Sequence, residues 1–424
     1  MASRSTVLLL SVVVLTGCKK ESRGREKLKR SPDAAAVVVT SGARATAAGP
    51  LLKEVEPNER PDGLVAIEMP FQVAGDLPEK DTDYILVEAP EQGVISAKVV
   101  PSENLDVVLS IEKGGEVFAV SDQGSAGKPE AVPNWPTEVG QVAIRVDTFS
   151  KKKKKKKKEQ DDKAPRTYLL DVRFTPLGGV EPTWEMEPNE TGDNSQAIAS
   201  EKRQFGYLGW AKDVDVWRIS VEDWTYGNVL DIFLDGVPGV APTLRVTRRG
   251  EVEALVSRSG GKGSSLSIQS FVPRREHGEY VITVSGTRSN PFRQYALWAR
   301  ERIPAAGEEL EPNDTESEST VLAKTSSSSG TQRGSFGPGD VDYFSLPTEG
   351  EYRLELKPTR DGSGKLSVFI DGVAGVSEKG QRGEAVVLAN VVIPTGTSGK
   401  IKVEGRSRGA ASAEYELRWQ RLSP

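Results

Sequence analysis

Three short strings in this chain gather oxygen-bearing side chains at fixed spacing. Glu54–Glu59, Glu185–Glu190 and Glu309–Asp314 all read Glu-x-Glu-Pro-Asn-Glu/Asp. Each is followed by an Asp-x-Asp: Asp81 and Asp83, Asp213 and Asp215, Asp340 and Asp342. From the Glu before Pro to the first Asp the distance is 25 residues (56 to 81), 26 (187 to 213) and 29 (311 to 340). In an extended segment Glu54, Glu56 and Asn58 alternate, so their oxygens can converge on one side with Glu59 beside them, while Pro57 fixes its own φ and restricts Glu56. A hard cation such as Ca²⁺ takes about six to eight oxygen ligands. One segment cannot supply them all, which gives the second acidic pair a reason to exist. The competing reading is that these acids and Asn form turns, cap strand ends and discourage edge-to-edge pairing.

The elements that must position these acids are strands. Alternating apolar residues follow each Asp-x-Asp: Ile85 and Val87, Trp217 and Ile219, Phe344 and Leu346. Such a period of two buries one face of a strand. A strand containing Tyr-x-Leu closes each copy, at Tyr168, Tyr295 and Tyr415, and is preceded by a strand through Ile144, Ile282 or Ile401. These last two strands are expected to pair antiparallel. Gly, Pro, Ser and Asn interrupt the chain every eight to twelve residues or so, without a sustained 3.6-residue period. The copies start 131 (56 to 187) and 124 (187 to 311) residues apart, the length of ordinary domains. An all-β sandwich repeated three times follows, with copies at 51–176, 181–302 and 307–424. The connections Pro176–Pro182 and Arg302–Gly307 are short and carry Pro, which limits swing between copies.

The acidic start, Asp340-Val-Asp-Tyr-Phe344 and the terminal Tyr-x-Leu strand resemble the bacterial pre-peptidase C-terminal domain family, which includes the collagen-binding domains of clostridial collagenases. The resemblance covers nearly all of 50–424 and implies jelly-roll-like β-sandwiches, usually appended to exported enzymes. It also implies calcium, held at positions matching Glu54, Glu56, Asn58 and Glu59; Glu185, Glu187, Asn189 and Glu190; and Glu309, Glu311, Asn313 and Asp314. Asp81, Asp213 and Asp340 would be the downstream partners, with Asp83, Asp215 and Asp342 beside them. The first two copies carry Glu where the family prefers Asp, so the third is expected to bind calcium most tightly.

At the N-terminus Arg4 precedes the apolar run Val7–Leu15 and then Leu15-Thr16-Gly17-Cys18. This resembles a bacterial lipoprotein signal peptide (1–17), with lipidation at Cys18, the single Cys of the chain. The thiol would receive the lipid, and 18–50, basic at first and then rich in Ala, Val, Ser and Thr, would form a flexible tether. A lipid-anchored envelope protein, at the outer membrane or cell surface, is the expectation.

Net charge is −5, from 56 basic and 61 acidic residues, which disfavours nucleic acid as the main partner. Catalysis is not expected. His277 is the sole His and lies in a charged turn, and a lipidated Cys18 leaves no Cys/His pair. Gly362-Ser-Gly-Lys-Leu366 lacks the Ser or Thr and the helix of a phosphate loop. Lys151–Lys158 is unbroken. Within a loop at 151–163 it is either a low-complexity insertion or a binder of anionic polymers. Trp217 and Trp419 fall on the buried alternation. Trp135, in a Pro-flanked loop, and Trp298, on the opposite face of its strand, are candidates for binding a peptide or sugar ring, Trp298 equally for contact between copies. Together these features describe a non-catalytic lipoprotein displaying calcium-stabilised modules that bind a matrix or envelope polymer or a partner protein. The alternatives are an accessory, chaperone-like factor for secreted proteases and, behind it, an envelope hydrolase.

Overall fold

The structure, a computed structural model, describes residues 49–149, 165–178, 183–198, 201–210, 212–407 and 412–422. Cys18, the tether and Lys151–Lys158 lie outside these residues. Six sheets fall into three facing pairs. In the first pair one sheet runs Leu51–Lys53, Phe71–Asp76, Thr167–Pro176, Gly93–Pro101, Glu130–Thr137. Its opposite runs Ile67–Glu68, Thr82–Ala89, Gly140–Thr148, Val107–Lys113, Glu116–Ser121. The second pair repeats this order without a counterpart of Leu51–Lys53, with Gln204–Gly206, Tyr295–Arg302, Val229–Leu234, Leu266–Phe271 facing Gln196–Ala197, Val214–Ser220, Glu279–Gly286, Pro242–Arg248, Val256–Ser259. The third repeats it again, with Ser329–Phe336, Ala413–Arg421, Gly350–Pro358, Val386–Ile393 facing Thr320–Val321, Val341–Ser345, Gly399–Ser407, Gly362–Ile370, Val373–Lys379. The fold is all-β, built of jelly-roll-like sandwiches.

The alternating residues do what their period requires. Ile85, Val87, Ile144 and Val146 from one sheet meet Phe71, Val73, Leu170 and Val172 from the other in one core. Trp217, Ile219 and Ile282 meet Ile232 and Leu297 in a second core. Phe344, Ile401 and Val403 meet Leu354, Leu417 and Trp419 in a third. Burying side chains of this size contributes about 1.5–3 kcal/mol each relative to exposure, and that drives the sheets together.

The expected pairing of the last two strands is not found. Gly140–Thr148 pairs with Thr82–Ala89 (Ile144 opposite Ile85), whereas Thr167–Pro176 pairs with Phe71–Asp76 and Gly93–Pro101 in the other sheet. The second and third sandwiches separate their last strands in the same way. Both strands have one buried face, a pattern that two strands facing each other across a core satisfy as well as two neighbours in one sheet. The described strands on either side of the lysine run therefore lie in different sheets.

Candidate metal centres

Each acidic string bridges the two sheets of its sandwich at one end of the core. Its first Glu is fixed to one sheet, through Glu54 N–H to Ala74 O (3.2 Å), Glu185 N–H to Phe205 O (2.8 Å) and Glu309 N–H to Arg333 O (2.7 Å). Its Asn is fixed to the other, where the Asn58, Asn189 and Asn313 carbonyls accept from the Tyr84, Val216 and Tyr343 N–H groups at 2.9, 3.1 and 2.9 Å. The intervening Glu56–Pro57, Glu187–Pro188 and Glu311–Pro312 bonds are all cis. Asp83, Asp215 and Asp342 take the first inward position of the strands they open, where they are fully buried. Glu and Asp thus meet at the mouth of each core, and each sandwich holds a group of acids able to hold a metal ion: Glu56, Asp81, Asp83; Glu185, Glu187, Asp215; Glu311, Asp314, Asp340.

Two kinds of residue complete these centres that the strings do not contain. The Tyr of Tyr-x-Leu donates its hydroxyl to the first Glu: Tyr168 to Glu54 (3.2 Å), Tyr295 to Glu185 (3.3 Å), Tyr415 to Glu309 (2.7 Å). A glycine leaves room for this pair. A Cβ on Gly75, Gly206 or Gly334 would come within 2.5 Å of both the Glu carboxylate and the Tyr ring. These glycines lie 21 (54 to 75), 21 (185 to 206) and 25 (309 to 334) residues after the first Glu, a regularity visible in the sequence.

The three centres differ in what balances their charge. The first is the most open: Glu56 and Glu59 are exposed, Glu54 and Asp81 half-buried, and Asn58 and Asp83 buried. Turned with its nitrogen inward, the Asn58 amide donates to Glu56 (3.0 Å) and Asp83 (3.2 Å). Burial pushes the Asp83 carboxyl up to about 8, and burial followed by the Asp81 charge raises Glu56.

In the second centre Glu185, Glu187, Asn189, Asp213 and Asp215 are each 2 % exposed or less. Hydrogen bonds reach some of their oxygens, from Tyr207 N–H to Glu185, Asn189 N–H to Glu187 and Gly209 N–H to Asp213. Five buried oxygens make no hydrogen bond of ordinary geometry: Glu187 Oε1, Asn189 Oδ1, Asp213 Oδ1 and both of Asp215, although the Tyr295 hydroxyl and the Asn189 amide lie near enough to Asp215 to favour its charged form in part. No ion pair to these acids occurs among the described residues. Burial and then the neighbouring Asp213 and Asp215 charges push Glu187 up to about 10. Burial holds Asp213 at about 7, and burial with the Asp213 charge raises Asp215 well above the carboxylate range. Glu190 is exposed.

The third centre already contains a cation. Arg258, from strand Val256–Ser259 of the second sandwich, is 1 % exposed. Its guanidinium pairs with Glu311, with Asp340 (2.5 Å) and with Asp314 (2.7 Å). Burial alone would lower its pKa, but Asp340, Glu311 and Asp314 together raise it, so it is charged. Burial pushes Glu309 up to about 8 and Asp340 up to about 6, the latter opposed chiefly by Arg258. Asn313, turned nitrogen-inward, donates to Glu311 (3.1 Å) and Asp342 (3.3 Å), and Tyr415 also lies 2.8 Å from Asp342. The expectation that the third copy holds calcium most tightly does not fit this arrangement, because a guanidinium stands among the acids that would ligate the ion. The second centre, with orphaned oxygens and no counter-charge, fits best.

Of the tryptophan candidates, Trp135 belongs to strand Glu130–Thr137 and packs into the first core, 7 % exposed and 5.8 Å from the Phe118 ring. It is not a loop residue, because the bulge opposite Ile95 and Ala97 lets a Pro-containing segment remain in a sheet edge. Trp298 does face outward. It stacks on Phe233 at 5.2 Å, with the Arg203 guanidinium 4.1 Å above it. His277 ends the turn Arg275–His277, with its ring edge-on to Tyr280 at 6.0 Å.

No family model matches the chain, and no curated protein does. Solved structures do. A pre-peptidase C-terminal domain of a Bacillus anthracis collagenase is similar over 27 % of this chain and all of its own length, at 16 % identity and TM-score 0.21. PNGF-II is similar over 73 % of this chain and 80 % of its own, at 10 % identity and TM-score 0.21. A triple jelly-roll turret protein of an archaeal virus is similar over 82 % and 84 %, at 10 % identity and TM-score 0.19.

Proposed function

We propose that this chain is a non-catalytic binding protein of the bacterial envelope whose second sandwich carries a structural calcium ion. The observation behind the metal assignment is the set of five buried oxygens around Glu187, Asn189, Asp213 and Asp215 that make no hydrogen bond of ordinary geometry and face no cation. Buried carboxylates without partners are strongly unfavourable, and an all-oxygen donor set suits a hard cation over zinc or copper. A bound ion supplies the missing positive charge. Glu187 and Asp215 would hold it, with Glu185 kept in place by Tyr295 and Tyr207, Asp213 by Gly209, and Asn189 by its backbone bonds on both sides. The first centre, half exposed, would hold an ion more weakly. The envelope assignment rests on the lipoprotein-like start and Cys18. The ligand, a matrix or envelope polymer or a partner protein, would meet outward faces such as the one bearing Trp298 and Phe233.

Melting of the full chain with calcium and with chelator tests the metal reading. At calcium about 100-fold above its dissociation constant, linkage adds about 2.7 kcal/mol, so the transition that includes the second sandwich should rise. Asp215→Asn should reduce that rise sharply, yet in chelator should melt no lower than the parent, because it replaces a buried acid that has no counter-charge by a neutral group of the same shape. Equal melting in calcium and chelator, or an Asp215→Asn chain destabilised equally in both, rejects the assignment.

A further inference from the structure

The third acidic centre sits where the second and third sandwiches meet, and the contacts around it are those of an assembled joint. The acidic string of the third sandwich adds itself to the edge strand Leu266–Phe271 of the second. Glu311 N–H donates to Ser270 O (3.0 Å) and Val272 N–H to Glu311 O (2.9 Å). Ser270 adopts φ +56° at a bulge in that strand, and its hydroxyl donates to Glu308 (2.6 Å). Two strands away Arg302 links Asp231 of the second sandwich (2.7 Å) to Glu308 at the start of the third. Gly339 passes so close to the second sandwich that a Cβ there would stand 3.4 Å from Ser259 N. Arg258 reaches Glu311, Asp314 and Asp340 through this joint.

We infer that Arg258 is a built-in substitute for the metal ion of the third centre, so that this centre joins two sandwiches instead of binding a free cation. A planar guanidinium directs several donors at carboxylates in fixed geometry, and here both terminal nitrogens are engaged by acids. A divalent ion at the same acids would have to displace this charge or bear its repulsion. Strand position shows that the substitution belongs to the second sandwich alone. Leu109, Leu244 and Leu366 occupy equivalent places opposite Val146, Val284 and Val403. Paired with them on the edge strands are Ser121, Arg258 and Glu378. The strand of the first sandwich thus offers a hydroxyl, already donated to Glu130 at 2.6 Å, where the second offers a guanidinium. This accords with a second centre that has no internal cation.

The inference rests on the reading of these centres as cation sites, but its test compares ion counts and does not need the second centre to be filled. Equilibrium dialysis with radioactive calcium would count ions per full-length chain, alongside melting in calcium and chelator. Arg258→Gln should bind one ion more than the parent and should melt lower, or fail to fold, in chelator, with calcium restoring it. Adding Asp340→Asn to Arg258→Gln should remove the extra ion, while Asp340→Asn alone should leave the parent count unchanged. An Arg258→Gln chain that gains no ion, whether folded or not, overturns the inference, as does an ion lost from the parent by Asp340→Asn. A parent that binds no calcium, with one ion gained in Arg258→Gln, would instead reject the assignment of the second centre and keep this one.

Discussion

In the second sandwich the Tyr hydroxyl of the centre does two jobs. Tyr295 donates to Glu185 while accepting from the Trp217 indole N–H at 3.0 Å, so one buried oxygen joins the acidic mouth to the core beneath it. Tyr295→Phe leaves the indole N–H and a Glu185 oxygen without this partner, and a loss of about 1–3 kcal/mol is expected from the orphaned buried groups. Gly206→Ala forces a methyl into the same pair and should cost about 1–3 kcal/mol through overpacking. Urea unfolding of the two variants would read these losses, and a Gly206→Ala chain as stable as the parent would show that the close approach is not rigid. The acidic strings were legible because they repeat, and repetition at constant spacing marks residues that must meet. The Tyr repeats as well, in Tyr-x-Leu, but the alternation marks it only as a buried strand residue and does not reveal where its hydroxyl points. Arg258 was illegible for a different reason: its acid Glu311 lies 53 residues on, in the next sandwich, and a single Arg in an edge strand reads as solvated.

Between elements, the strand Val229–Leu234 carries a buried acid held by two cations. Asp231 is fully buried, paired with Arg302 (2.7 Å) and Arg300 (2.8 Å) and accepting from Ser270 N–H (3.0 Å). Burial pushes its carboxyl up, but the bonds from Arg302, Arg300 and Ser270 outweigh this and hold it below the ordinary value. A depressed carboxylate contributes stability that is fully present above its unfolded pKa, near 4, and is lost as pH falls through the lower folded value. The parent should therefore exceed Asp231→Asn in stability at pH 7, by roughly 2 kcal/mol since Arg300 remains partly solvated, and the gap should narrow below about pH 4. Denaturant midpoints across pH 3–7 would test this, and a constant gap would mean that packing, not charge, holds the strand. Which strands exist could be read from period-two alternation, because that depends on burial of one face alone. Which sheet each strand joins could not, since Ile144 and Leu170 show the same pattern from opposite sheets.

Across the chain, charge balance determines which sandwiches behave as one body. The second and third share buried ion pairs at Arg258, a half-buried one at Arg302 and a continued strand edge at Glu311. Separating them would leave Arg258 and its acids without their partners, and breaking a buried pair costs about 3–5 kcal/mol. Between the first and second sandwiches the described contacts are of another kind, with the Lys98 ammonium 5.7 Å above the Phe292 ring and Pro133 packed beside Gly209. An exposed cation–π contact contributes about 0.5–1 kcal/mol, too little to couple two cores. Scanning calorimetry in excess calcium should therefore show two transitions, with the second and third sandwiches unfolding together. Because unfolding enthalpy scales with length at roughly 0.7 kcal/mol per residue near 60 °C, the joint transition should carry about twice the heat of the other. Arg302→Gln, which weakens the joint without touching any of the three centres, should split the larger peak or broaden it. Three separate peaks in the parent would show that the ion pairs bridge the sandwiches without coupling them, and a single sharp peak would place comparable coupling at the first junction.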